Sequence, residues 1–217
     1  MNDVRPTPQQ AWDEMRSGNG RFVAGTPRHP SQDVERRHEL TGGQRPMAAL
    51  FGCADSRLAA EIIFDKGLGD LFVIRNAGQV LSDSVVGSIE YSVAILDVPL
   101  IVVLGHDECG AVRASIESTR QDAPELPAHI WRLIAPIVPA VHRVMRAEPG
   151  SDPLTVDAEQ VGREHLRDTI AELLHSSEVV SRAVAEERLA IVGANYRLEE
   201  GRAEPHIIIG PISDAGV

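Results

Sequence analysis

Cys53 and Asp55 stand two positions apart in Gly52-Cys53-Ala54-Asp55-Ser56-Arg57, and His106 and Cys109 three apart in Gly105-His106-Asp107-Glu108-Cys109-Gly110. The chain of 217 residues has 2 cysteines, one in each segment, so its thiols are concentrated where a histidine and a carboxylate also occur. Two thiolates, one imidazole and one carboxylate make a tetrahedral shell suited to a borderline-soft divalent ion, zinc above all. The carboxylate is the member of that set that can leave and open a position for water, which separates a catalytic site from a structural one. Arg57 offers a planar fork that grips a carboxylate at two points and stays charged at any working pH, so it competes with a metal for Asp55.

Both segments sit where a strand ends. Met47 to Cys53 and Leu100 to Gly105 are nearly continuous apolar runs, the pattern of strands covered on both faces, and Leu71 to Arg75 reads as another between them. Helices are expected over Ala59–Phe64, Asp83–Leu96, Ala111–Ser118, Pro127–Arg146, Thr155–Ser176 and Glu178–Glu187, punctuated by Pro124, Pro127, Pro136, Pro139, Pro149 and Pro153. Leu189–Tyr196 and Ala203–Ile209 read as a terminal hairpin. Ahead of the first strand, Trp12, Met15, Phe22 and Val23 give an amphipathic arm from about Pro8 to Ala24, interrupted at Asn19-Gly20, with a short polar helix over Ser31–Leu40. The expected fold is therefore α/β: a central, mostly parallel β-sheet flanked by helices, with an N-terminal helical arm (1–45) and a C-terminal hairpin. Residues 1–217 are read as a single domain. Strands and helices alternating in this way put both ligand pairs at the carboxyl edge of one sheet, where they converge if their strands are neighbours.

A formal net charge of -11 opposes binding to phosphate backbones, so no nucleic-acid partner is expected. Met1-Asn2-Asp3-Val4-Arg5-Pro6 lacks the apolar core of an export signal, and Val98–Leu104 is too short to cross a bilayer. No membrane partner is expected, and cysteines without an export signal fit a reducing compartment, here the cytoplasm.

The Cys-x-Asp-x-Arg and His-x-x-Cys segments and the framework between them resemble the β-class carbonic anhydrases over most of the chain. Phe72-Val73-Ile74-Arg75-Asn76-Ala77-Gly78 and Gly87-Ser88-Ile89-Glu90-Tyr91-Ser92-Val93 are similar to further family segments. The resemblance implies reversible hydration of carbon dioxide to bicarbonate and a proton, with one zinc ion per subunit. It assigns Cys53, His106 and Cys109 as permanent ligands, and Asp55 as a fourth ligand that swings to Arg57 and then orients zinc-bound hydroxide. Activity rising toward alkaline pH follows from that reading. Similarity to the plant-like subgroup maps Gln44, Phe72 and Tyr91 onto pocket-lining positions and Gly110 onto a backbone N–H that contacts the anion. Leu50 stands where the bicarbonate-regulated subgroup has a tryptophan, although Arg75 is retained. The family pocket is lined partly by a neighbouring subunit, so a homodimer or homotetramer is implied, with the apolar face of the arm as an intersubunit contact.

The simpler readings make Cys53 and Cys109 small core residues, Arg57 a surface ion pair and Phe72 part of the core. Asp107 and Glu108, between ligands, are expected to face solvent or cap the following helix. Two other functions compete: hydrolysis of carbon disulfide or carbonyl sulfide on the same fold and metal, and a non-catalytic zinc-stabilised module in which Asp55 never leaves. Arg57 argues against the last, because a permanent structural site has no need of a cation competing for its ligand.

Overall fold

Continuous burial identifies the centre of the sheet. All six residues of β1 (Ala48–Cys53) and all seven of β3 (Leu100–His106) are buried, as their unbroken aliphatic sequence requires. The other strands are β2 (Leu71–Asn76), β4 (Ala190–Arg197) and β5 (Arg202–Ile209). Around them lie α1 (Pro8–Val23), α2 (Val34–Glu39), α3 (Ala60–Ile63), α4 (Asp83–Ala94), α5 (Gly110–Ser118), α6 (Ala128–Ile134), α7 (Val138–Ala147), α8 (Ala158–Ser176) and α9 (Glu178–Ala185). This computed structural model describes residues 5–147, 153 and 155–213. The export-signal reading of Met1 to Val4 and the helix-breaking role of Pro149 lie outside the described residues.

The strands run in the order β2-β1-β3-β4-β5, parallel except for β5, which closes the edge as the antiparallel partner of β4. From β1 the chain crosses to β2 on one side, then returns past β1 to β3 on the other. That reversal opens a crevice beyond the carboxyl ends of β1 and β3, the place where open α/β sheets hold ligands. Pleating sends alternate side chains into two cores. Leu50, Val102 and Leu104 pack with Trp12, Ile137 and Val141 on one face. Phe51, Ile101 and Val103 pack with Ile89, Leu173 and Val180 on the other.

The arm is one helix without the expected break. Thr7 and Gln10 form a reciprocal cap at its start, with Pro8 in the first turn. Asn19 is drawn inward: its side chain donates to the carbonyl oxygens of Ile63 (3.1 Å) and Gly201 (2.8 Å) and accepts from Ala203 N (2.9 Å). Gly18 permits this approach, since a Cβ there would lie 1.8 Å from Phe64 O. Trp12 and Met15 are buried in the core of their own chain, so that part of the expected intersubunit face does not meet a neighbour, while Val23 at the end of the helix is exposed.

Two helix expectations also change. Pro127–Arg146 is not one helix: Pro136 lies in a 3-10 turn, Ala135–Ile137, between α6 and α7, because proline cannot donate the hydrogen bond that would continue α6. α2 starts at Val34, later than expected, because Asp33 caps it by accepting from Arg36 N at 2.7 Å.

Candidate active site

Cys53 ends β1 and His106 ends β3, and the pairing of Gly52 with Leu104 sets these two ends side by side. Cys109 follows one turn later, immediately before α5. Their ligand atoms converge: Cys53 Sγ, Cys109 Sγ and an imidazole nitrogen of His106 all lie within 4.8 Å of one another, with all three residues buried. His106 Nδ1 is 2.7 Å from Asp107 O. A carbonyl can only accept, so Nδ1 carries the proton and Nε2 is left with its lone pair. His106 Nε2 is buried with no hydrogen-bond partner among the described residues, as expected of an atom reserved for a metal.

The thiols show the same preparation. Without a cation, a hydrogen bond from Cys109 above all, joined by the Gly78 N–H, brings the pKa of Cys53 down to about 4 against the opposing effect of burial. Its negative sulfur and burial push Cys109 well above the ordinary thiol range. Two sulfurs this close resist ionising together unless a cation sits between them, and a divalent ion removes the conflict. The donor set thus fits zinc.

Asp55 lies outside that group of three and is held by Arg57. Its Oδ1 accepts from Arg57 N and Nε, both at 2.9 Å, and Oδ2 from Nη2 at 2.6 Å. The Arg57 bonds hold the Asp55 carboxyl far below the usual carboxylate range. Arg57 Nη2 also reaches Glu108 O at 3.3 Å, linking the two ligand loops. Arg75 adds a second clamp, donating from Nε to Cys53 O (2.9 Å) and from Nη2 to Asp55 O (2.5 Å).

Of the remaining expected residues, Gly110 directly follows Cys109, whereas Gln44, Phe72 and Tyr91 do not gather here within one chain. Phe72 pairs with Ala49, four rungs before Cys53 on the sheet, and packs with the opposite core. Its ring stacks on Tyr91 of α4 with centroids 6.1 Å apart, and Tyr91 is 47% exposed. Gln44 is exposed ahead of β1, and Gly110 is exposed at the start of α5. Asp107 neither faces solvent nor caps α5: its Oδ1 accepts from Leu198 N at 3.0 Å, because β4 runs beside β3 and brings its end across the loop. Glu108 is exposed as expected and pairs with Arg113.

Three contributors escaped the sequence reading. The sequence connects Arg75 only with a bicarbonate-regulated site, and it does not show the hydrogen bond from Gly78 N to Cys53 Sγ (3.3 Å). Nor does it show the contact of the His165 imidazole, whose Nε2 lies 2.8 Å from Gly78 O. The glycine in Asn76-Ala77-Gly78 was a possible signal, since a glycine leaving a strand beside a thiol marks close backbone approach; nothing near His165 offered one.

A sequence model described as carbonic anhydrase matches residues 48–203. Carbonic anhydrase 2 of Mycobacterium tuberculosis is 46% identical over 208 residues, covering 95% of this chain and 97% of that one. This chain belongs to the carbonic anhydrase family. Carbonic anhydrase of Mycolicibacterium smegmatis is 44% identical over the same shares of both chains. Among solved structures, a tetrameric β-carbonic anhydrase from Sordaria macrospora superposes with a TM-score of 0.66 at 26% identity, covering 78% of this chain and 84% of that one. The Coccomyxa β-carbonic anhydrase, at 23% identity, shares the fold with a TM-score of 0.68 over 94% and 86% of the two chains. The chain is thus a β-carbonic anhydrase by family and an enzyme by class, and the general reaction of carbonic anhydrases is hydration of carbon dioxide. No helix among the described residues is long and apolar enough to cross a membrane.

Proposed function

We propose that this chain reversibly hydrates carbon dioxide to bicarbonate and a proton at a zinc site made by Cys53, His106 and Cys109, with Asp55 and Arg57 controlling the fourth position. The observation that carries the reading is the arrangement itself: three donors within 4.8 Å, and beside them a carboxylate turned onto its arginine. Zinc held there supplies a Lewis acid and a water that ionises far more easily than in bulk. The protein supplies the rest. His106, fixed by Asp107 O, presents Nε2 in the correct tautomer. Asp55, ionised and gripped by Arg57, can accept a hydrogen bond from the attacking oxygen and turn its lone pair toward the carbon. Released from Arg57, the same carboxylate would close the site.

The N–H of Gly110 opens α5, where a helix start favours an anion, which suits it to bicarbonate. Phe72, Tyr91 and Gln44 serve a pocket only if a second copy brings them to it. The stacked, half-exposed aromatic pair on β2 and α4 supports that use, as does the tetrameric Sordaria relative, so the working unit is a homodimer or homotetramer. A compartment without export, the cytoplasm, suits reduced thiol ligands.

Stopped-flow hydration of the zinc-loaded protein across pH, with Arg57→Ala and Cys109→Ser beside it, tests the proposal. Wild type gains rate toward alkaline pH, because two thiolates cancel the ion's charge and proton release needs a higher pH than the about 7 of a three-histidine site. Cys109→Ser loses the metal. Arg57→Ala keeps zinc and loses most turnover, and normal turnover there removes the control assigned to the pair.

A further inference from the structure

His165 on α8 is 3% exposed and makes a single side-chain hydrogen bond, from Nε2 to Gly78 O at 2.8 Å. Its Nδ1 is buried with no partner among the described residues. A neutral imidazole has one N–H, and only the tautomer protonated at Nε2 can donate to a carbonyl, so the bare nitrogen is the orphan. Burial holds the ring neutral by pushing its pKa down. A leucine would fill such a site without sequestering a polar atom, so the bond to Gly78 is what the imidazole contributes.

Gly78 stands between His165 and the metal site. Its N–H donates to Cys53 Sγ at 3.3 Å while its C=O accepts from His165. The residue has φ +82, and a Cβ would lie 2.7 Å from that of Ala111, so the position must be glycine and has a glycine's loose backbone. Asn76 brackets the turn by bonding Val80 at both N (2.9 Å) and O (2.6 Å), which leaves the Gly78 carbonyl to His165.

We infer that His165 is a positioning residue for the metal site, fixing the Gly78 peptide so that its N–H points at the Cys53 sulfur. This rests on the reading of Cys53 as a metal ligand. An N–H directed at a thiolate withdraws charge from it and fixes its lone pairs, and outer partners of this kind commonly change metal affinity by about 10- to 100-fold. His165 acts from a helix 87 residues further along the chain, through the Gly78 peptide.

The full chain, labelled with nitrogen-15 and loaded with cadmium-113, gives a direct readout: a scalar coupling between the Gly78 amide proton and the metal, carried through the N–H···S bond. Wild type is expected to show it. His165→Leu should weaken it and lower zinc affinity, measured by chelator competition, by about 10-fold or more. His165→Gln, whose side-chain N–H reaches to a similar depth, should restore both, a rescue that loss of packing does not predict. Should His165→Leu fail to fold, His165→Met, which fills the space with a flexible side chain and has no N–H for Gly78 O, takes its place, with the same losses expected. Absence of coupling in metal-loaded wild type overturns the inference, and so does unchanged affinity and coupling in a folded His165→Leu protein. Wild type that takes up neither zinc nor cadmium removes the metal reading itself, a failure distinct from the other two.

Discussion

Arg75 and Asp55 meet through the main chain, with Arg75 Nη2 2.5 Å from Asp55 O while the Asp55 carboxylate belongs to Arg57. One arginine thereby fixes the backbone of the loop and another fixes its side chain. Because Arg75 also holds Cys53 O, the two-point grip sets the spacing between a candidate sulfur donor and the carboxylate beside it. Lysine offers one point charge in place of the fork. Arg75→Lys should fold normally and lose about 10-fold in kcat/KM, the scale of outer-contact losses at metal sites. Equal kcat/KM in the two proteins rejects the clamp.

Metal removal should expose an asymmetry between the two thiols. Cys53 and Cys109 are 5% and 6% exposed, so access does not distinguish them, whereas Cys53 is brought down to about 4 and Cys109 is pushed up. At mildly acidic pH, iodoacetamide should modify Cys53 well before Cys109 in chelator-treated protein, since the thiolate is the nucleophile. Zinc should protect both. Peptide mapping reads the order, and equal labelling of the two contradicts it.

His165 gives a pH dependence of stability whose sign is fixed. Burial lowers its folded pKa below the ordinary 6.5, so the folded protein binds fewer protons there than the unfolded chain. Its contribution is complete above about 6.5 and is lost as pH falls below that. Urea unfolding of metal-stripped wild type should show a larger loss from about pH 7.5 to 5.5 than His165→Gln, which has no such group to charge. Parallel losses in the two proteins count against a buried neutral imidazole.

Asn19 ties α1 to the end of α3 and to the start of β5 through three hydrogen bonds. Asn19→Ala leaves those main-chain groups without their partner, at a cost of about 1–3 kcal/mol in unfolding free energy. Because the site residues lie elsewhere, zinc content should be unchanged. A loss below about 0.5 kcal/mol would mean that water replaces the amide.

The sequence carried the centre of the fold and the ligand set for related reasons. β1 and β3 are covered on both faces and so spell continuous aliphatic runs, and a candidate donor stands at the end of each, which sets Cys53 and His106 at one sheet edge; their adjacency comes from the pairing of the two strands. What escaped depends on partners remote in the chain. The amphipathic pattern of α1 reports that Trp12 and Met15 are buried without saying by which copy. Asp107 meets Leu198 only because β4 returns beside β3, and His165 meets Gly78 only because α8 packs against the loop after β2. Pro136 marks the break between α6 and α7 in the sequence, and the buried Ile134 and Ile137 on either side of it carry the apolar pattern across the 3-10 turn, which is why the stretch reads as one helix.

The reversal of strand order beside β1 also has a meaning for biogenesis. Cys53 is synthesised well ahead of His106 and Cys109, with β2 and α4 emerging between them. Through that interval a nascent polypeptide carries a lone thiol, and the three candidate donors are present together only once the third strand and the loop after it have emerged.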